Sequence, residues 1–221
     1  MCGRASLTAP PDVIAEVFSL DETPNISPRF NVAPGQPIAI LRSIPGALGA
    51  RRLEEARWGI VRHEPDGRPV PVLLARVETV FARFRDAAAG RRCLVVVDGF
   101  YEWRGQKGKR EPFHFRRRDG RPFGLAAVWE PANDGVVECT LLTAPAQTPV
   151  IEIHDRMPIP IAERSRDAWI DPGIVAVDAA RALAVVDPNH DLVCAAVSTY
   201  VNDARHEGPA CFAPAAQQGL F

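Results

Sequence analysis

Residues 91–104 read Arg-Arg-Cys-Leu-Val-Val-Val-Asp-Gly-Phe-Tyr-Glu-Trp-Arg. The stretch 93–98 is apolar, rich in β-branched valine, and ends on Asp and Gly. That is the pattern of a buried strand stopping at a turn. Gly99 is then bracketed by Phe100, Tyr101 and Trp103, and the predicted glycine turn places Glu102 in an apolar setting. Burial of that kind raises a carboxyl pKa and suits the group to proton transfer near neutral pH. The plain alternative is an acidic residue in a hairpin beside Arg104.

Working outward, 21 prolines and 16 glycines cut the chain into short segments, with no internal repeat. Further strands are predicted over 38–42, 56–61, 70–76, 113–117, 124–129, 138–144 and 192–197, each rich in Val, Ile, Phe or Leu and bounded by Gly, Pro or Asp. Helices are predicted over 11–19, 80–89, 162–170 and 178–186 from apolar spacing and from proline or glycine stops. Strands dominate and do not alternate regularly with helices. The expected fold class is therefore α+β, with a curved or barrel-like, mostly antiparallel sheet core and short surrounding helices. No linker divides the chain, so 1–221 reads as a single domain.

The 221 residues carry a net charge of −1, from 26 Lys and Arg against 27 Asp and Glu. Only Lys107 and Lys109 are lysines, which leaves 24 arginines. Near-zero charge excludes nucleic-acid binding through bulk charge, so any such binding needs a local patch. Arginine supplies the two-pronged fork that lysine lacks, although a GC-rich coding sequence also explains most of the excess. Apolar runs such as 94–97 fall far short of the ~20 residues of a membrane helix. The N-terminus lacks a secretory core, and the expected location is intracellular. Five cysteines without a C-x-x-C pair argue against disulfides and zinc, and no metal or cofactor is expected. Cys93, Cys139 and Cys194 lie in apolar runs and read as core thiols.

Cys2 stands apart. Removal of Met1 would leave a cysteine with a free α-amine, titrating near ~7.7–8.0, beside a thiol near ~8.5. The amine forms a Schiff base with an aldehyde, and the thiol closes on that imine to give a five-membered thiazolidine. Elsewhere, His154-Asp155-Arg156-Met157-Pro158 offers a histidine between carboxylate and guanidinium, a candidate acid or base. In 74–79, Leu-Ala-Arg-Val-Glu-Thr, a strand meets a helix start, and the plain reading of Arg76 and Glu78 is a surface ion pair. Arg29-Phe30-Asn31-Val32-Ala33-Pro34-Gly35 is read as a turn between short strands.

Singly these signals are weak, but their joint order is specific. Cys2-Gly3-Arg4, the 29–34 turn, Trp58-Gly59, the 75–79 segment, the 99–103 block, the 141–145 segment and His154–Pro158 together resemble the SOS-response-associated peptidase (SRAP) family of abasic-site processing proteins. The resemblance spans essentially the whole chain. It implies the SRAP fold and an N-terminal Cys2 that captures the ring-opened aldehyde of an abasic site in single-stranded DNA. Glu102 would then shuttle protons, and His154 would assist ring opening and reversal. Arg4, Arg76 and Arg156 match phosphate-holding arginines; Thr143 matches a threonine near the site; Asn31, Pro34, Trp58, Met157 and Pro158 match DNA- or pocket-lining positions. The implied partner is single-stranded DNA with abasic sites, including single-strand/double-strand junctions, bound by a monomer in the cytoplasm or on the nucleoid without a membrane.

The sequence departs from the family twice. Leu74 stands where the family has an asparagine, and leucine neither donates nor accepts a hydrogen bond. The second tryptophan that follows Trp-Gly in the family is also missing, in a region where stacking is worth ~1–3 kcal/mol per base. Two rival readings follow. One is an N-terminal-nucleophile amidohydrolase or peptidase, in which the α-amine serves the thiol as base. The other is a non-covalent single-strand or junction DNA-binding module with chemistry weakened by Leu74.

Overall fold

The computed structural model describes residues 3–44, 49–106, 108–187 and 191–215. Cys2 lies outside the described residues. The first strands are β1 (Arg4–Leu7), β2 (Arg29–Val32), β3 (Pro37–Ser43), β4 (Arg51–Trp58), β5 (Ile60–His63), β6 (Pro69–Val72) and β7 (Leu74–Arg76). They are followed by β8 (Arg92–Val97), β9 (Gly99–Arg104), β10 (Glu111–Arg117), β11 (Phe123–Pro131), β12 (Val137–Pro145), β13 (Arg156–Pro158) and β14 (Leu192–Ala196). The helices are short: α1 (Pro11–Phe18), α2 (Val77–Arg83), α3 (Arg85–Gly90), α4 (Arg166–Ile170) and α5 (Val177–Leu183).

The strands β11, β8, β3, β4 and β12 are hydrogen-bonded in that order, and β12 pairs back onto β11, so this sheet closes on itself. β13 and β7 attach to β12. The expected barrel-like α+β fold is present, and closure removes the open sheet edges that would otherwise template aggregation. β8 is buried at all six positions. Fully burying each of its valines is worth roughly 1.5–3 kcal/mol, so the valine run that opens this chain's reading is also a main source of barrel stability. A second, antiparallel sheet runs β14-β10-β9-β1-β2, and β5 and β6 form a separate ribbon.

Most predicted strands are present within one or two residues of their expected bounds. The departures have local causes. The strand expected over 56–61 breaks at Gly59, whose φ of 132° and crowding by Leu73 and Pro71 exclude a side chain. The strand expected over 70–76 breaks at Leu73, whose carbonyl accepts the Trp58 indole N–H at 3.0 Å. These breaks let β4 and β7 each pair in parallel with β12 while β5 and β6 fold away. The helix expected over 80–89 is two helices, because buried Phe84 leaves helical geometry at φ −122°. The segment 162–170 opens with a 3-10 turn and becomes helical only in α4. Residues 29–32, read as part of a turn, form β2. Cys194 is exposed because β14 is an edge strand, whereas Cys93 and Cys139 are core thiols as expected.

The largest correction concerns the opening stretch. Asp98 is a pivot at which the chain leaves the barrel, and Gly99 begins β9 in the other sheet. Asp98 is held there by the Ser6 hydroxyl at 2.6 Å, the Thr8 hydroxyl at 2.6 Å and the Ala9 N–H at 3.0 Å. A Cβ at residue 99 would collide with the His114 ring and the Phe115 carbonyl, so glycine is required by close packing. One face of β9 and β10 carries Phe100 and Phe115 into the main core. The other face carries Tyr101 against Val197, Val201 and Cys211 of the C-terminal segment.

Candidate active site

Glu102 lies on β9 opposite Phe113 of β10 and is 1% exposed. Burial pushes its carboxyl pKa up to about 7, and the negative charge of Asp155 acts in the same direction. A carboxyl that titrates near neutral pH can both accept and return a proton under working conditions. Asp155, the residue after His154, is thus near enough for its charge to reach Glu102. β1 and β9 pair from Ser6 with Gly99 to Arg4 with Tyr101. Gly3 precedes Arg4 as Glu102 follows Tyr101, so the described chain begins alongside the glutamate.

A second group forms on the β7-β12-β13 ladder. Leu74 pairs with Leu141, Arg76 with Thr143, Thr143 with Pro158 and Pro145 with Arg156. Side chains alternate along a strand, so Leu74, Arg76, Thr143, Arg156 and Pro158 share one face. Leu74 is half-buried against the core. Arg76 is exposed and makes none of the ion pairs found among the described residues. The local pair that the sequence suggested for Arg76 and Glu78 is replaced by a distant one. Arg156 donates from Nη1 to Glu78 Oε1 at 2.6 Å and from Nη2 to Glu78 Oε2 at 2.9 Å. Its Nη2 also donates to the Thr143 carbonyl at 2.6 Å. These bonds hold the Glu78 carboxyl below its ordinary range.

His154 precedes β13 and is partly buried, which pulls its pKa down. Its Nδ1 accepts the Arg156 backbone N–H at 3.0 Å and lies 2.9 Å from Asp155 Oδ1. An N–H donor and a carboxylate make opposite demands on that nitrogen. The Arg156 N–H is directed at Nδ1, so that nitrogen is assigned the lone pair and the ring proton is assigned to Nε2. His154 thus offers an N–H donor, or a proton-transfer site, on the side away from Arg156.

Other sequence candidates have different surroundings. Arg4 shares the outer face of the second sheet with Tyr101, opposite to that of Glu102. It donates to Asn31 Oδ1 at 2.7 Å and to the carbonyls of Val201 at 2.7 Å and Asn202 at 3.1 Å. Asn31 is fully buried, and its amide donates to the carbonyls of Val201, Asp203 and His206. Arg4 and Asn31 therefore fasten the C-terminal segment over the sheet. Trp58 is 0% exposed and hydrogen-bonded to Leu73, which leaves no ring face for a base to stack on. Met157 points into the core, where its sulfur accepts the Gln147 N–H at 3.3 Å. Pro34 is half-buried in the turn after β2. A cleft of about 420 Å³ lies beside the chain start, lined by Gly3, Arg4, Trp103, Gly108, Arg110 and Asn202. Among the described residues no group of three or more His, Cys, Asp or Glu is arranged to hold a metal.

Sequence reasoning missed the partner of Glu78 and the buried series His114, Ser6 and Asp98. Ser6 Oγ donates to Asp98 Oδ1 and lies 3.0 Å from His114 Nε2. These contacts span 78, 92 and 108 positions, so no local pattern announces them.

Comparison with known proteins finds relatives along most of the chain. Abasic site processing protein YoqW of Bacillus subtilis is 28% identical over 221 residues, covering 95% of this chain and 97% of that protein. Abasic site processing protein YedK of Escherichia coli is 29% identical, covering 77% of this chain and 79% of its own length. Abasic site processing protein HMCES of Xenopus tropicalis is 26% identical, covering 96% and 78% respectively. Crystal structures of proteins from Bacteroides thetaiotaomicron and Bordetella bronchiseptica share the fold, with TM-scores of 0.78 and 0.72 at 17% and 22% identity. They cover 97% and 89% of this chain, and both are matched over 100% of their own length. The profile of the SOS response associated peptidase (SRAP) family matches residues 1–204, and the chain belongs to that family.

Proposed function

We propose that this protein processes abasic sites in single-stranded DNA by capturing them covalently through Cys2 after hydrolytic removal of Met1. The observation that carries the reading is Glu102: a buried carboxyl titrating near neutral pH, set where the described chain begins and within electrostatic reach of Asp155 beside His154. The names of the relatives supply the substrate class. In the proposed reaction the Cys2 amine adds to the C1′ aldehyde of the ring-opened sugar, and water leaves to form the imine. The thiol then adds across the C=N bond, its proton passes to nitrogen, and a thiazolidine closes. Glu102 takes and returns the protons at the amine. His154 donates from Nε2 to the sugar oxygen during ring opening. Exposed Arg76 holds the flanking phosphate on the ladder face that Thr143, Arg156 and Pro158 complete. The protein acts inside the cell as one domain and as a monomer, and sites at strand junctions are among its substrates.

Leu74 occupies this face at the position where the family carries asparagine. The test is to incubate the Met1-processed protein with an end-labelled single-stranded oligonucleotide containing one abasic site and to separate products under denaturing conditions. Wild type should give a slowly migrating adduct that Cys2→Ala abolishes. Leu74→Asn should speed its formation, by up to roughly 10²–10³ if the amide acts as a positioned polar contact does elsewhere. Gel-shift binding by wild type without any adduct would replace the enzyme reading with the non-covalent module.

A further inference from the structure

The Glu78–Arg156 pair joins the start of α2 to β13 across 78 positions of the chain. Three features separate it from an ordinary surface ion pair. It is bidentate, with N–O distances of 2.6 and 2.9 Å. The Arg156 side chain is only 12% exposed although Glu78 is half-exposed. The same guanidinium also holds the Thr143 carbonyl of β12, so one side chain ties α2, β12 and β13 together. Parallel fork bonds fix the orientation of a guanidinium plane, which a single contact does not do. Arg156 in turn holds His154, because its backbone N–H donates to His154 Nδ1.

We propose that Glu78 is a positioning residue for His154: through Arg156 it pins β13 so that the Arg156 N–H keeps the His154 ring in its Nε2–H form, aimed at the substrate. The inference rests on the reading of His154 as the proton donor given above. Glu78 touches no reacting atom, and its effect reaches the chemistry only through Arg156. Without the carboxylate, the largely buried guanidinium loses its partner and must turn toward water. That movement withdraws the Thr143 bond and lets the start of β13 shift away from His154. A neighbouring N–H that fixes ring tautomer and orientation is a standard way for a protein to prepare a histidine.

The test uses the full, Met1-processed chain and its Glu78→Ala, Glu78→Gln and Glu78→Asp variants, with three measurements. Nitrogen NMR of the His154 ring at neutral pH reports the tautomer. The rate of adduct formation with the abasic oligonucleotide is measured at saturating protein, and affinity is measured with an oligonucleotide carrying an unreactive tetrahydrofuran site. Wild type should show Nδ1 unprotonated and Nε2 protonated. Glu78→Ala should show a mixture of tautomers and a saturating rate about tenfold lower, as losses of such supporting contacts are elsewhere. Affinity should be unchanged. Glu78→Asp should partly restore both tautomer and rate. Glu78→Gln keeps the shape and one accepted bond, and it carries the test should the alanine variant fail to fold. An unaltered His154 tautomer in Glu78→Ala, or a loss confined to affinity, would overturn the proposal. Absence of adduct with wild type would instead remove the capture reading, and the NMR comparison would still decide whether Glu78 governs His154.

Discussion

Glu102 is placed in an unfavourable position for a charge, and its behaviour with pH follows from that. Its carboxyl has an ordinary value of 4.5 and is raised to about 7 by burial. The protonated form is therefore favoured in the folded chain. The stability this contributes is fully present below pH 4.5 and is lost as pH rises through about 7. The gap corresponds to about 3 kcal/mol. Glu102→Gln, which is neutral throughout, should therefore gain on wild type by up to about this amount at pH 8 and not at pH 4. Urea unfolding at the two pH values measures it, and equal differences at both would show that Glu102 titrates normally. Under the proposed mechanism the same substitution should slow adduct formation, because proton transfer at the Cys2 amine would lose its carboxyl. The apolar setting of Glu102 was legible in its aromatic neighbours, even though a strand stands where a turn was expected. Trp58 misled because tryptophan beside glycine has the same appearance on a surface as in a core, and only the Leu73 carbonyl decides between them. The Cys2 reading rests on its place behind Met1, and Cys2 lies outside the described residues.

At the scale of elements, the valine-, leucine- and alanine-rich barrel strands were legible because burial on both faces makes them near-continuous apolar runs bounded by Gly, Pro or Asp. β1, β9 and β13 were not: β1 and β13 are three or four residues long and open on arginine, and β9 mixes charge with aromatics. What fixes such short elements is side-chain bonding to backbone, and arginine does much of it. Arg92 is 2% exposed and donates to the carbonyls of Trp169 at 2.7 Å, Ala88 at 2.7 Å and Ala89 at 2.7 Å, as well as to Asp171. It thereby satisfies carbonyls at the ends of both α3 and α4, which helices of five and six residues cannot satisfy internally. Arg166 similarly donates to Val17 at the end of α1 at 2.8 Å. Part of the arginine excess thus has a structural use, because a lysine ammonium cannot spread donors over carbonyls on two helices. Arg92→Lys should destabilise the fold by about 2–4 kcal/mol, since it keeps the buried charge and abandons some of its acceptors. Arg118→Lys, at an exposed ion pair with Asp191, should be within about 0.5 kcal/mol of wild type. Denaturant midpoints of the two variants compare them directly. Equal stability would mean that the carbonyl cage of Arg92 contributes nothing specific.

For the molecule as a whole, the pH response of Glu102 meets an opposing one on the same sheet. His114, on the outer face of the same sheet, pairs with Tyr101 and is held down to about 4 by burial, against an ordinary 6.5. Ser6 Oγ gives its one proton to Asp98, so His114 Nε2 must be the donor to Ser6, and the ring is neutral in the fold. A histidine with a lowered pKa contributes stability that is present above pH 6.5 and lost as pH falls through about 4. Its size, about 3 kcal/mol, matches that of Glu102, and its sign is opposite. Between pH 4.5 and 6.5 the folded chain loses stability through Glu102 as pH rises and gains it through His114, so the two slopes nearly cancel. Removing either group should tilt the profile relative to wild type. His114→Gln should leave stability falling as pH climbs from 4.5 to 7, whereas Glu102→Gln should leave it rising from 4 to 6.5. The slope of unfolding free energy against pH is the quantity to compare, because a constant offset from the lost Ser6 contact does not affect it. A His114→Gln profile parallel to wild type would mean that His114 titrates alike in the folded and unfolded chain. The tilt, if found, ties the two faces of one sheet into a single pH response. One face carries the candidate acid–base and the other the Ser6–Asp98 anchor that fastens β1, the strand leading back to Cys2.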